Sequence, residues 1–128
     1  MKRFSLLFAG LCLAAGSAIA AESTVMHCFA FTPVKEATQS DWDAFYKATD
    51  ELPKTVKGLK RVWTGKLARP LKQGDNVREY GTCMEFEDEA AFKAYGAKDN
   101  KAHNDWVAVY SKVRQPGTTT YQILPAKK

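Results

Sequence analysis

The chain offers little from which to build a metal or redox centre. Of 128 residues three are cysteine and two are histidine. There is no Cys-x-x-Cys pair, no His/Cys cluster at zinc spacing and no haem attachment motif, so neither a metal nor a cofactor is implied. Beyond the first 20 residues no apolar run approaches the roughly 20 residues that a membrane helix needs. No internal repeat is present, and the only compositional bias is a short Lys-rich tail. Charge of one sign is missing too, because 19 Lys and Arg are set against 14 Asp and Glu. The densest basic run, Lys54, Lys57, Lys60 and Arg61, falls at a helix end and a strand start, whereas a nucleic-acid binder gathers its cations on one stripe. No nucleic-acid partner is therefore expected.

What is present begins with an export signal. Lys2 and Arg3 precede the apolar run Leu6 to Ala15, and the small residues Ser17, Ala18 and Ala20 follow, so residues 1–20 read as a secretory signal peptide. The run is too short to anchor, and Ala9-Gly10-Leu11 before Cys12 lacks the lipoprotein pattern. Residues 21–128 are expected to form one exported domain, periplasmic or secreted, with no membrane anchor and no room for a second core. Loss of Lys2 and Arg3 with the leader takes the formal charge from +5 to +3. Cys28 and Cys83 remain, in a compartment that permits one bridge.

Periodicity orders the rest. Val25 to Phe31 alternates as a strand, with Val25, His27, Phe29 and Phe31 on one face and Met26, Cys28 and Ala30 on the other. Ser40 is expected to cap a helix over 41–52 that Pro53 stops, with Trp42, Phe45, Thr49 and Leu52 as its buried stripe. A second strand is expected over 59–67, with Leu59, Arg61, Trp63 and Gly65 sharing a face, then a polar loop over 69–77. A third strand follows over 78–87, a helix capped by Asp88, a helix over 100–113, and a last strand over 118–124. Strand, helix, strand, strand, helix pair, strand is a split beta-alpha-beta order. It predicts a ferredoxin-like α+β fold with helices on one face of the sheet. The other face, with Met26, Cys28, Ala30 and Cys83, is apolar enough to call for a partner, and a homodimer joining two sheets would cover both.

Phe29-Ala-Phe31, Leu52-Pro53, Lys57-Gly58-Leu59, Gly65, Phe86-Glu-Asp-Glu-Ala-Ala-Phe92, Ala94-Tyr95 and Ala102-His103 with Trp106 stand in an order that resembles the stress-responsive alpha/beta-barrel (Dabb) domain family. The resemblance spans residues 25–124 and implies a dimeric alpha+beta barrel. It includes stress-associated proteins without assigned chemistry and plant polyketide cyclases. In the cyclases a tyrosine on the second helix and a histidine at the start of the third work together, and Tyr95 and His103 hold the matching positions. A further cyclase histidine falls at Tyr80. The family's frequent His-Pro-x-His is here Asn100-Lys101-Ala102-His103.

His103 has the residue type for acid-base work near neutral pH, and Tyr95 for hydrogen bonding to a carbonyl or enol. His27, Tyr80, Trp42, Phe45, Trp63 and Trp106 are the candidate walls of an apolar ligand pocket, against the alternative that they are core. Two functions stay open. One is an exported homodimeric stress-related or small-molecule-binding protein. The other is a cofactor-free lyase, cyclase or isomerase acting on an apolar carbonyl compound through His103 and Tyr95. For the cysteines, the first and third strands are expected as parallel neighbours, a poor geometry for bridging, so two reduced thiols near the dimer interface are expected.

Overall fold

Alternation in Val25–Phe31 does build a strand, β1, and the rest of the sheet assembles around it. The computed structural model describes residues 24–126, and the expected signal peptide lies outside them. After β1 come α1 (Gln39–Thr55), β2 (Leu59–Gln73), β3 (Asn76–Phe86), α2 (Glu89–Tyr95), α3 (Lys101–Val113) and β4 (Thr119–Ile123). The sheet order is β2-β3-β1-β4 and each neighbouring pair is antiparallel. This is the ferredoxin-like α+β layout expected from the order of elements. Among the described residues no helix is long and apolar enough to cross a membrane.

The start of α1 differs from expectation. Thr38, not Ser40, is the cap: its Oγ1 accepts from Asp41 N at 3.2 Å, while Asp41 Oδ2 accepts from Thr38 N at 3.0 Å. That reciprocal capping box satisfies two backbone donors. Pro53 does not stop the helix either. It sits in the last turn, and Val56 N still donates to Leu52 O at 2.9 Å. A proline there forfeits one bond near a terminus that is already giving up its partners. Asp88 and Asn100 cap α2 and α3 through Ala91 N and His103 N.

The expected polar loop over 69–77 is instead the far half of a long hairpin turning at Gly74 and Asp75. Its register slips between Lys66 and Leu71, leaving surplus residues on β2 that bend the arm. Thr32 Oγ1 donates to Val77 O at 2.6 Å and Thr119 Oγ1 to Gln73 Oε1 at 2.6 Å. The arm thus curls around the end of β1 and reaches β4, the opposite edge of the sheet.

The helices cover one face. Val25, Phe29 and Phe31 of β1 and Met84 and Phe86 of β3 pack there with Phe45 and Leu52 of α1, Tyr95 of α2, and Trp106, Tyr110 and Val113 of α3. Phe31, Phe45 and Phe86 are wholly buried, each worth about 1.5–3 kcal/mol relative to exposure. Gly58, at φ 79°, makes the turn into β2, and a Cβ there would lie 2.5 Å from Ala91 Cβ. Both backbone and space therefore demand glycine.

Candidate functional site

His103 and Tyr95 meet. His103 stands in the first turn of α3, its backbone N–H held by the Asn100 cap at 3.0 Å. Tyr95 ends α2. The chain turns back over Gly96 to Asn100, and the two rings come together edge to face with centroids 4.6 Å apart. Burial lowers the His103 pKa, favouring a neutral imidazole, and pushes the Tyr95 phenol far up, so that it remains an O–H donor. The Tyr95 hydroxyl is buried without a partner. His27 belongs to the same end: its ring lies 5.2 Å from Phe92, and burial, then the nearby charge of His103, lowers its pKa. Gln122 Nε2, an amide donor, lies 3.0 Å from His27 Nδ1, so the ring nitrogen accepts. A neutral base and a neutral donor side by side are equipped to move a proton between carbon and oxygen.

Tyr80 is placed elsewhere. It pairs with Phe31 across the strands, four residues along β1 from His27, roughly 13 Å at strand rise. Its ring lies 4.9 Å from Trp42 and 5.8 Å from Phe31. Between the two ends Phe45 contacts Phe31, Trp42, Trp106 and Tyr110, and Trp106 stacks on Tyr110 at 4.8 Å. Trp106 Nε1 donates to Thr49 Oγ1 at 2.9 Å and Thr49 Oγ1 to Phe45 O at 2.7 Å, which pins the indole. Phe45 and Trp106 therefore fill the interior between His27 and Tyr80 as core. Two depressions, of about 510 and 720 Å3, lie outside it, one on the open sheet face and one between α1 and α3. Neither is lined by Tyr95 or His103.

Trp63 is on the other side of the sheet. Leu59 pairs with Phe86 on the helix side, but Arg61 pairs with Glu85 and Trp63 with Cys83 on the open side. The surplus residue between Leu59 and Arg61 is a bulge, and one extra residue reverses the facing of everything after it. Strict alternation had put Leu59 and Trp63 together. Trp63 is 47% exposed and carries the Arg61 guanidinium 5.0 Å above its ring. Glu85 takes a hydrogen bond from Arg61 Nε at 2.7 Å, which holds its carboxyl below the usual range.

The expectation of two reduced thiols is corrected: Cys28 and Cys83 form a disulfide. β1 and β3 run antiparallel, not parallel, and the two cysteines stand directly opposite each other with Cα atoms 4.1 Å apart. That is close to the spacing of a non-hydrogen-bonded antiparallel pair, whose side chains lean together. The bridge, Trp63, Leu67, Leu71 and Tyr121 line the 510 Å3 depression on the open face. Leu67 and Leu71 belong to the curled arm, and Leu67 presses on the sheet where a Cβ at Gly81 would be only 2.8 Å from Leu67 Cδ2. These arm residues escaped sequence reasoning. The one available signal was a glycine in mid-strand, which marks close approach of another segment.

No family model matches the chain, and no curated protein matches it. Solved structures do. A dimeric ferredoxin-like protein of unknown function from Thermobifida fusca is similar at TM-score 0.60 and 17% identity, covering 80% of this chain and 92% of that one. A Dabb family protein with a ferredoxin-like fold from Mesorhizobium loti matches at TM-score 0.60 and 17% identity, over 82% and 99%. The hydroxynitrile lyase of Passiflora edulis matches at TM-score 0.65 and 11% identity, over 84% and 98%. At these identities the likeness is one of fold: the chain has the ferredoxin-like fold that its residues led us to expect, and a Dabb family protein shares it.

Proposed function

We propose that the chain is an exported homodimer that holds a small apolar molecule, with the open sheet faces of two copies turned toward each other. The observation that carries this reading is the apolar depression beside the disulfide, lined by Trp63, Leu67, Leu71 and Tyr121. Large apolar side chains left together on a surface mark an interaction site. Two such faces brought together would cover Trp63 and Tyr121 of both copies and close the depressions into an enclosed space. The dimeric neighbour from Thermobifida fusca supports the assembly. The leader sequence supports export, and so does the bridge, which persists in oxidising compartments.

Sedimentation at micromolar concentration should give twice the chain mass, and native mass spectrometry of protein from its own source should retain a small molecule. A monomer that carries nothing overturns the reading.

One observation favours a second function. Tyr95 and His103 are in ring contact, both neutral, with His27 alongside. This arrangement suits a cofactor-free lyase, cyclase or isomerase acting on an apolar carbonyl compound, with His103 as base and Tyr95 as donor, and a lyase shares the fold. Under this reading His103→Gln lowers turnover roughly 10²- to 10⁴-fold without unfolding the chain. Equal turnover of His103→Gln and the parent, once a substrate is in hand, removes this mechanism.

A further inference from the structure

Four side-chain polar atoms are buried without a partner among the described residues, and three of them belong to neighbouring groups: Tyr110 Oη, Arg114 Nε, whose guanidinium lies over the Tyr110 ring, and Arg78 Nε, whose charge acts on the same phenol. Arg78 rises from the start of β3 and is 7% exposed. Its Nη1 donates to Thr32 Oγ1 at 3.2 Å, and its Nη2 lies beneath the Gly117 turn, 3.6 Å from where a Cβ would stand. Thr32 is already committed, its hydroxyl donating to Val77 O. Tyr110 is packed among Phe29, Phe31, Phe45 and Trp106, with its hydroxyl pointing at no acceptor. The Arg114 guanidinium lies 4.8 Å over the Tyr110 ring, and its Nη1 reaches Gln115 O at 3.3 Å.

The scaffold around these groups is fixed. Gln115 N donates to Thr32 O at 2.9 Å, Val34 N donates to Val113 O at 2.9 Å, and Pro33 bridges to Arg114. Segments before α1 and after α3 are thereby tied together, and Thr32 joins them to the start of β3 through Val77 and Arg78. All three orphaned atoms are donors. Two are guanidinium N–H groups, and the third is a phenol that burial keeps protonated although both arginines pull the other way. No Asp or Glu lies within ion-pair distance of Arg78 or Arg114 among the described residues. A buried cation is ordinarily retained only with a counter-charge, and donors with no acceptor call for a group that only accepts.

We propose that Arg78, Tyr110 and Arg114 form a binding site for the carboxylate of a small organic acid. A carboxylate supplies about four lone-pair sites and no donor, and the flat guanidinium edge suits its two oxygens. This site is separate from the open-face depression, since none of its three residues lines it. Its test can fail while the homodimer stands, and the reverse.

Sodium acetate is the probe, added to the full mature chain against sodium chloride at equal ionic strength, with thermal unfolding as the readout. We expect the melting temperature to climb with acetate. At ten times its dissociation constant a single-site ligand multiplies the folded-to-unfolded ratio about 11-fold. Tyr110→Phe should blunt the response and Arg78→Gln abolish it. If Arg78→Gln does not fold, Arg114→Gln serves in its place. Acetate stabilisation of equal size in parent, Tyr110→Phe and Arg114→Gln overturns the proposal, as does an absent acetate response with ordered water at the three donors in a crystal grown in acetate.

Discussion

On the helix-covered face of the sheet Phe29, Phe31, Met84 and Phe86 lie under Phe45, Trp106 and Tyr110, ring packed against ring. One pleat away on the open face Cys28 and Cys83 of the same strands, with Trp63 of β2 and Tyr121 of β4, surround a depression of about 510 Å3. The two faces solve different problems. The covered face completes a fold, and burial there favours the neutral forms of His27, Tyr95, His103 and Tyr110. The open face is unfinished in a single copy, and a covalent bridge ties its two central strands. For a small domain with a modest core, the difference teaches where stability and interaction are kept apart.

The sharpest way to break that contrast is to hollow the covered face. Phe45→Ala removes a wholly buried ring touching five aromatic neighbours and should cost about 3–5 kcal/mol, read from urea midpoints. A loss below 1 kcal/mol would mean that the helix layer is not the main core. Next comes the bridge. Its half-cystines are 55 residues apart, a loop for which the chain-entropy account gives about 4 kcal/mol, so Cys28→Ala with Cys83→Ala should lower stability by that order. Alkylation of the denatured, unreduced parent should add no label to either cysteine, and labelling of both would refute the bridge.

Trp63→Ala separates assembly from folding. A side chain nearly half exposed contributes little to a lone copy, but as an interface anchor its loss should weaken the proposed dimer by about 2 kcal/mol or more. Sedimentation should then show dissociation at concentrations where the parent stays paired, with the unfolding midpoint of the dissociated chain little changed. A variant that dimerises normally places the interface elsewhere.

The smallest effect concerns acidity on the covered face. His27 and His103 have pKa values below the ordinary 6.5, so the unfolded chain takes up protons where the folded one does not. Stability is therefore full above pH about 6.5 and declines as pH falls through the folded values. His27→Phe should make the decline shallower. An unchanged slope between pH about 7 and about 5 would show that His27 does not couple to folding.

Much of this was legible along the chain because it depends on near neighbours. Alternation in Val25–Phe31 fixed which residues of β1 meet the helices, and Asp88 announced its helix by accepting from an N–H three residues on. Tyr95 and His103 were marked as a pair by resemblance, and the turn over Gly96 brings them into contact. Even locally there were misses. Thr38 closes a reciprocal box with Asp41, whereas Asp43, at the same spacing from Ser40, accepts from Gln39 Nε2 instead.

The sequence by itself determined the order of elements, the sidedness of β1 and the Asp88 cap, since backbone period and capping act within four residues. Tertiary structure alone decided the rest. The extra residue in β2 that turns Trp63 outward leaves no mark in composition, and the pairing of Cys28 with Cys83 follows from strand direction and register set between segments 55 residues apart. The placing of Arg78 and Arg114 about Tyr110 required β3, the end of α3 and the loop after β1 to be tied together. Such placing is fixed by hydrogen bonds between distant segments, and no local pattern encodes it.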